Sequence, residues 1–250
     1  MSIYYRMKII ERESGIEAKG AKFHTAGRPE NLSDFLNYVN LTLIIGLPAS
    51  GKSSLIKTLL NGTNEDNLYN NVFNSVYYIS PSDTMDLNLP ENKIISLDTE
   101  PLENILQNII EGEKEQGEED DPHRVLIILD DAINYINTNR RALGVFRKLV
   151  MNGRHILGRN SSVAIWIVSQ KVKSIPLTIR SQANQVFFFE STKAEKEIVR
   201  DEFTPLDKKE GEQLFNYVYD APHNFLFINL QLPKFKRLFK NFNQLILKGI

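Results

Sequence analysis

The apolar run LTLII, Leu41 to Ile45, passes without a break into GLPASGKSSLIKTLL, Gly46 to Leu60. A run of that length suits a buried strand, and the segment after Gly51 has the composition of a helix. The junction carries the spacing G-x-x-x-x-G-K-[ST], the phosphate-loop pattern. Glycine at both ends lets successive backbone N–H groups turn inward, and the helix N-terminus adds its positive dipole. A strand and a helix joined this tightly form the first half of a βαβ unit, so the chain is committed to an α/β fold. The candidate nucleotide-binding residues are Gly46, Pro48, Ala49, Ser50, Gly51, Lys52, Ser53 and Ser54. Lys52 is placed to reach the β and γ phosphates, Ser53 to offer its hydroxyl to Mg²⁺, and Ser54 to start the helix.

The rest of the chain repeats the same alternation. Candidate strands are 75–80, 93–97, 125–129, 163–169, 185–189 and 225–229, and most are apolar throughout, as expected where both faces of a parallel sheet are covered. Candidate helices are 52–60, 102–113, 140–152, 194–202 and 207–219. With 250 residues, the chain is long enough for one large domain with a substantial core. Residues 1–40 read as an N-terminal extension, 41–230 as the nucleotide-binding domain and 231–250 as a basic C-terminal segment. Phe235, Phe239 and Phe242 recur there at helical spacing, which predicts a docked C-terminal helix in preference to a DNA-contacting tail. No apolar run approaches the roughly 20 residues of a membrane span, and there is no cysteine, so an intracellular setting is expected.

Two strand ends carry further chemistry. VLIILDD, Val125 to Asp131, delivers paired carboxylates at the end of an apolar strand. Asp130 is expected to hold Mg²⁺ and Asp131 to orient and deprotonate an attacking water. The competing reading of Asp131 is a cap on the turn at Ala132 to Tyr135. Gln170 directly follows the strand ending at Ser169, where a side-chain amide can touch both a water and a γ-phosphate oxygen. Arg180, in IPLTIRSQANQVFFF, is a candidate for stabilising transition-state charge on a neighbouring subunit, and Arg154 and Arg159 compete for that role.

Charge is unevenly spread although the net charge is only -1. Seven acids fall between Glu111 and Asp121, read as a solvated helix end or loop. From Ala132 to Phe189 there is no acid, while Arg140, Arg141, Arg147, Lys148, Arg154, Arg159, Lys171, Lys173 and Arg180 lie within. Such a field suits phosphate groups, of a nucleotide or of nucleic acid.

Taken in order, GLPASGKSS, VLIILDDA, GRHILGRNSSVAIWIVSQ and IPLTIRSQANQVFFF resemble the FtsK/HerA superfamily of DNA-pumping ATPases over about residues 40 to 190. They look most like its vaccinia-type viral branch, which includes genome-packaging ATPases of large eukaryotic DNA viruses and virophages. The resemblance implies a RecA-like P-loop NTPase core with a mainly parallel sheet between helices. It implies Mg-ATP on Lys52 and Ser53, metal on Asp130, Asp131 as base, Gln170 as sensor and Arg180 as trans-acting finger. It further implies a hexameric or pentameric ring that threads double-stranded DNA into a capsid, with a capsid or portal-vertex protein as partner. The expected setting is a virus factory in the host cytoplasm, or the virion. Cellular members usually carry glutamate where this chain has Asp131. Two other readings stay open. A P-loop kinase of a nucleotide or metabolite leaves Asp131 and Gln170 without a task, and a helicase or recombination translocase shares the chemistry in another setting. A GTPase-like switch fits less well, because Asn92-Lys93-Ile94-Ile95 lacks the aspartate of the guanine-reading N-K-x-D element.

Overall fold

In the computed structural model the described residues are 8–12, 41–60, 69, 72–81, 87, 93–116, 123–158, 161–234 and 236–248. Strands are β1 (Lys8–Arg12), β2 (Leu41–Ile45), β3 (Ser75–Ser80), β4 (Ile94–Ser96), β5 (Arg124–Asp130), β6 (Ser162–Ser169), β7 (Gln185–Phe189), β8 (Phe225–Asn229), β9 (Leu238–Lys240) and β10 (Asn243–Lys248). Helices are α1 (Lys52–Leu60), α2 (Leu102–Gln116), α3 (Ile133–Thr138), α4 (Arg140–Asn152), α5 (Leu177–Arg180), α6 (Lys193–Phe203) and α7 (Lys208–Val218). All ten strands join one sheet in the order β1-β10-β9-β8-β7-β2-β6-β5-β3-β4. From β7 to β4 the pairing is parallel, and from β7 to β1 it is antiparallel. The expected α/β fold with a helix-covered, mainly parallel sheet is present, with an antiparallel wing added.

Alternation along the strands splits the core into two layers. Leu43, Ile45, Ile127, Leu129, Ile165 and Ile167 face α2, α4, α6 and α7, whereas Ile44, Ile128, Trp166 and Val168 face α1. The wing closes the α1 side with aromatic rings. Phe187 stacks on Phe227 with centroids 4.5 Å apart, and Phe225 meets Phe242 edge-on at 5.3 Å.

The C-terminal helix is not formed; β9 and β10 are a hairpin instead. Asn241 takes φ 55° in the two-residue turn between Lys240 and Asn243, a left-handed conformation that asparagine tolerates. A strand followed by a tight turn brought Phe239 and Phe242 into the core three residues apart, which mimics helical spacing. Phe235 lies outside the described residues. The N-terminal extension contributes β1, paired along its length with β10. Glu113, expected to be solvated with its acidic neighbours, is fully buried, while 117–122 lie outside the described residues.

Candidate active site

Strand β2 ends at the phosphate loop, and the loop is held from two sides. Gly46 N–H donates to the Ser169 carbonyl of β6 at 3.2 Å, and the Ser50 N–H donates to Leu47 O at 3.2 Å. On the β7 side Phe189 fills the space beneath the loop. A Cβ on Gly46 would lie 2.6 Å from Phe189 Cβ and 2.5 Å from Ser50 Oγ, so only glycine fits at this close approach. Ala49 (φ 58°) and Gly51 (φ 108°) take left-handed backbone, the geometry that turns successive N–H groups toward one point. The Lys52 ammonium sits in this concavity and donates to Gly46 O at 2.7 Å and Leu47 O at 2.9 Å. Burial lowers its pKa, opposed by the charges of Asp131 and Asp130.

The strand order determines what meets the loop. Strand β6 lies between β2 and β5, so Gln170 at its end stands between the loop and the two aspartates. Asp131 has φ 49°, a conformation that is unusual for a residue other than glycine. Its N–H donates to Val168 O at 3.0 Å, which ties the bend to β6. The cap reading is not realised, since Ala132 stands at the N-cap of α3 and no side chain caps it. Instead the Asp131 carboxylate accepts from Gln170 Nε2 at 3.1 Å. The two residues singled out separately as base and sensor are thus in direct contact.

Three supporting residues gave no local signal. Tyr78, on β3 beside β5, donates from its hydroxyl to Asp130 Oδ2 at 2.5 Å. Burial and the Asp130 charge keep this phenol protonated far above its ordinary range, so it stays a donor. Glu195, buried at the start of α6, accepts from Val172 N–H at 2.6 Å and Lys173 N–H at 3.3 Å, anchoring the segment after Gln170. His223 (φ 64°), in the turn before β8, lies with Nδ1 3.2 Å from the Ser50 carbonyl. Only strand order and register bring these groups to the site, and neither is written in a short window of sequence.

The residues present fit a magnesium ion. Ser53 hydroxyl and Asp130 carboxylate are hard oxygen donors, and burial raises the Asp130 pKa, with Asp131 adding to the rise and Tyr78 and Lys52 opposing it. A buried carboxylate of this kind is favoured by a nearby cation. Among the described residues no three His, Asp or Glu side chains gather to hold a metal.

Arg180 is engaged within its own chain. Its guanidinium makes a bidentate pair with Glu202 at 2.6 and 2.6 Å and donates to Ile175 O at 2.8 Å, with 13% of the side chain exposed. Arg154 is exposed, and Arg159 lies outside the described residues.

No protein-family model and no curated protein matches the chain. Solved structures do match. The genome-packaging NTPase B204 from Sulfolobus turreted icosahedral virus 2, in complex with AMPPCP, is similar at 14% identity and TM-score 0.54, over 78% of this chain and 94% of that one. EssC (ATPases 2 and 3) from Geobacillus thermodenitrificans gives 13% identity and TM-score 0.55 over 84% and 40%. The pCW3 conjugation coupling protein TcpA, with ATPγS, gives 12% and 0.52 over 94% and 65%. At these identities the shared property is the fold, and that fold is the α/β fold of the P-loop NTPases.

Proposed function

We propose that the protein is an ATP-hydrolysing motor that moves double-stranded DNA, of the FtsK/HerA type and with viral genome packaging as its setting. The observation that carries the reading is the Asp131 carboxylate, not used as a helix cap and hydrogen-bonded at 3.1 Å by Gln170 between the aspartate strand and the phosphate loop. A carboxylate beyond the metal ligand is what an attacking water requires as base. Lys52 then binds and neutralises phosphate oxygens, and the loop N–H groups orient the chain. Ser53 and Asp130 would hold Mg²⁺, which when bound supplies positive charge to the phosphates. Gln170 touches the base directly, so it orients the water that Asp131 deprotonates and links its position to the γ-phosphate.

The DNA part rests on α4 and the turn that follows it. Arg140, Arg141, Arg147, Lys148 and Arg154 are all exposed, whereas Ala142, Phe146 and Leu149 anchor the opposite face. None of these five bases forms an ion pair within the described residues; Arg147 donates only to Thr178 Oγ1 at 3.2 Å. Asn139 caps the helix and reaches across to Glu103 of α2, so the basic face is rigidly placed. A fixed stripe of unpaired cations matches a DNA backbone. The fold neighbours lend support, since B204 is described as the DNA-packaging ATPase of its virus and TcpA as a conjugation coupling protein. A ring of copies and a capsid partner belong to the same proposal. In such a ring Arg180 would serve a neighbour only by leaving Glu202, whereas Arg154 is exposed without an acidic partner among the described residues.

Steady-state ATP hydrolysis with and without double-stranded DNA tests the reading. Hydrolysis should rise with DNA, and Arg147→Ala combined with Lys148→Ala should weaken the stimulation and flatten its salt dependence while leaving the DNA-free rate unchanged. Phosphoryl transfer to a small acceptor with no response to DNA would replace the motor by a kinase.

Tyr78→Phe separates the metal site from the rest. Loss of the hydroxyl leaves Asp130 buried with one partner fewer, and the Mg²⁺ concentration for half-maximal hydrolysis should rise roughly tenfold, as for other partners of metal ligands. An unchanged Mg²⁺ requirement would mean that the Tyr78 hydroxyl does not support a metal ligand at Asp130.

A further inference from the structure

The strand order fixes which way a bound triphosphate runs. Gln170, Asp130 and Asp131 stand on the β6 side of the phosphate loop, so the reacting end points there, and the nucleoside leaves on the β7 side. On that side lies a cleft of about 420 Å³, walled by the loop, by Glu190 to Thr192 after β7 and by Ala221, His223 and Asn224 before β8. Both connections lie at the loop end of the sheet because β7 and β8 are antiparallel, with Phe189 opposite Phe225. We propose that this cleft is the nucleoside subsite and that it reads the ribose through Glu190 and Ser191 while leaving the base largely unread. The inference rests on the nucleotide-hydrolysis reading and adds a substrate class to it: ribonucleoside triphosphates with little preference among amino-bearing bases.

The sugar side follows from which polar groups remain unused. Ser191 is 8% exposed, and its buried hydroxyl has no hydrogen-bond partner among the described residues, a cost that a ligand hydroxyl would remove. Next to it Glu190 is held, among the described residues, only by a loose, exposed contact with Lys196 at 3.5 Å, so a carboxylate oxygen is free to accept from the ribose 2′-hydroxyl. Thr192 is occupied as the N-cap of α6.

The base side is poor in readers. The Asn224 amide donates to Asp220 at 2.8 Å and accepts from Asn241 at 3.0 Å, so both its ends are taken. The His223 ring is turned to the Ser50 carbonyl through Nδ1, which leaves Nε2 as a lone ring nitrogen. One such group does not separate adenine, guanine and cytosine, all of which carry an exocyclic amine. Leu47, 42% exposed, and Pro48 offer apolar surface to any of the three.

The test compares ATP, GTP, CTP and dATP on the full chain with Mg²⁺, by initial hydrolysis rates and by equilibrium binding. The three ribonucleotides should agree in kcat/KM within about threefold, and dATP should have a KM roughly tenfold higher, the value of one hydrogen bond to a charged group. Glu190→Ala should raise the KM for ATP to that for dATP and leave dATP unchanged, with kcat unaffected; a merely structural loss would shift both substrates together. Equal KM for ATP and dATP, or ATP preferred over GTP by tenfold or more, overturns the subsite. Tight ribose-dependent binding without hydrolysis keeps the subsite and sinks the hydrolase reading, whereas no binding of any triphosphate sinks both.

Discussion

Asp131→Asn should lower the hydrolysis rate at least about a hundredfold while nucleotide affinity stays within about threefold of the wild type. The substitution is unusually clean at this position. Asp131 holds φ 49°, and asparagine is one of the few residues that accept left-handed backbone at little cost. The backbone bond to Val168 O is retained, and the amide oxygen of asparagine still accepts from Gln170. What disappears is the negative charge and with it the ability to take a proton from water. Asp131→Ala would confound this by adding strain in the left-handed region. Steady-state hydrolysis set beside calorimetric ATP binding checks the result. A parallel fall of binding and turnover would mean that Asp131 shapes the phosphate site and does not act as base.

The contrast between Asp131 and its neighbours shows what a linear chain reveals. The phosphate loop and the Asp130 strand are legible because each is a local device, a strand end plus a turn, complete within about ten residues. Gln170 is legible as a strand-end amide, but its contact with Asp131 depends on β6 lying between β2 and β5. Tyr78, Glu195 and His223 act across strand neighbours or between loops far apart in sequence. No pattern of spacing marks them. The C-terminal segment shows the opposite failure, in which a local pattern was present and misleading. Phe239 and Phe242 are three apart because a strand meets a two-residue turn, and the Asn241 that makes the turn was the readable clue. Arg180 fits its motif in sequence but in the fold spends its guanidinium on Glu202 and Ile175 O.

The second large effect is expected far from the phosphates. Glu113→Ala should cost about 3–5 kcal/mol, as for removing one member of a buried charged network. For a chain of this size that lowers Tm by roughly 10 °C. The Glu113 carboxylate is fully buried at the C-terminal part of α2. It accepts from Tyr77 OH at 2.5 Å, lies 2.5 Å from His123 Nε2 and faces the Lys93 ammonium at 3.9 Å. Lys93 in turn donates to Ser75 Oγ at 2.6 Å, so one side chain ties α2 to the entries of β3, β4 and β5. Burial alone would push the Glu113 pKa up; the bonds from Tyr77, His123 and Ser75 and the Lys93 charge outweigh it, and the pKa lies below its ordinary 4.5. A carboxylate with a depressed folded pKa contributes stability that is complete above the unfolded pKa and is lost as pH falls through the folded one. The stability gap between wild type and Glu113→Gln should therefore be flat at neutral pH and narrow below about 4.5, the ordinary value. Chemical denaturation across that pH range measures it, and a gap independent of pH would refute the network. Because the cluster sits at the strand starts and the phosphate loop at the strand ends, Glu113→Gln should leave hydrolysis at 25 °C unchanged, with Tm alone reporting the loss.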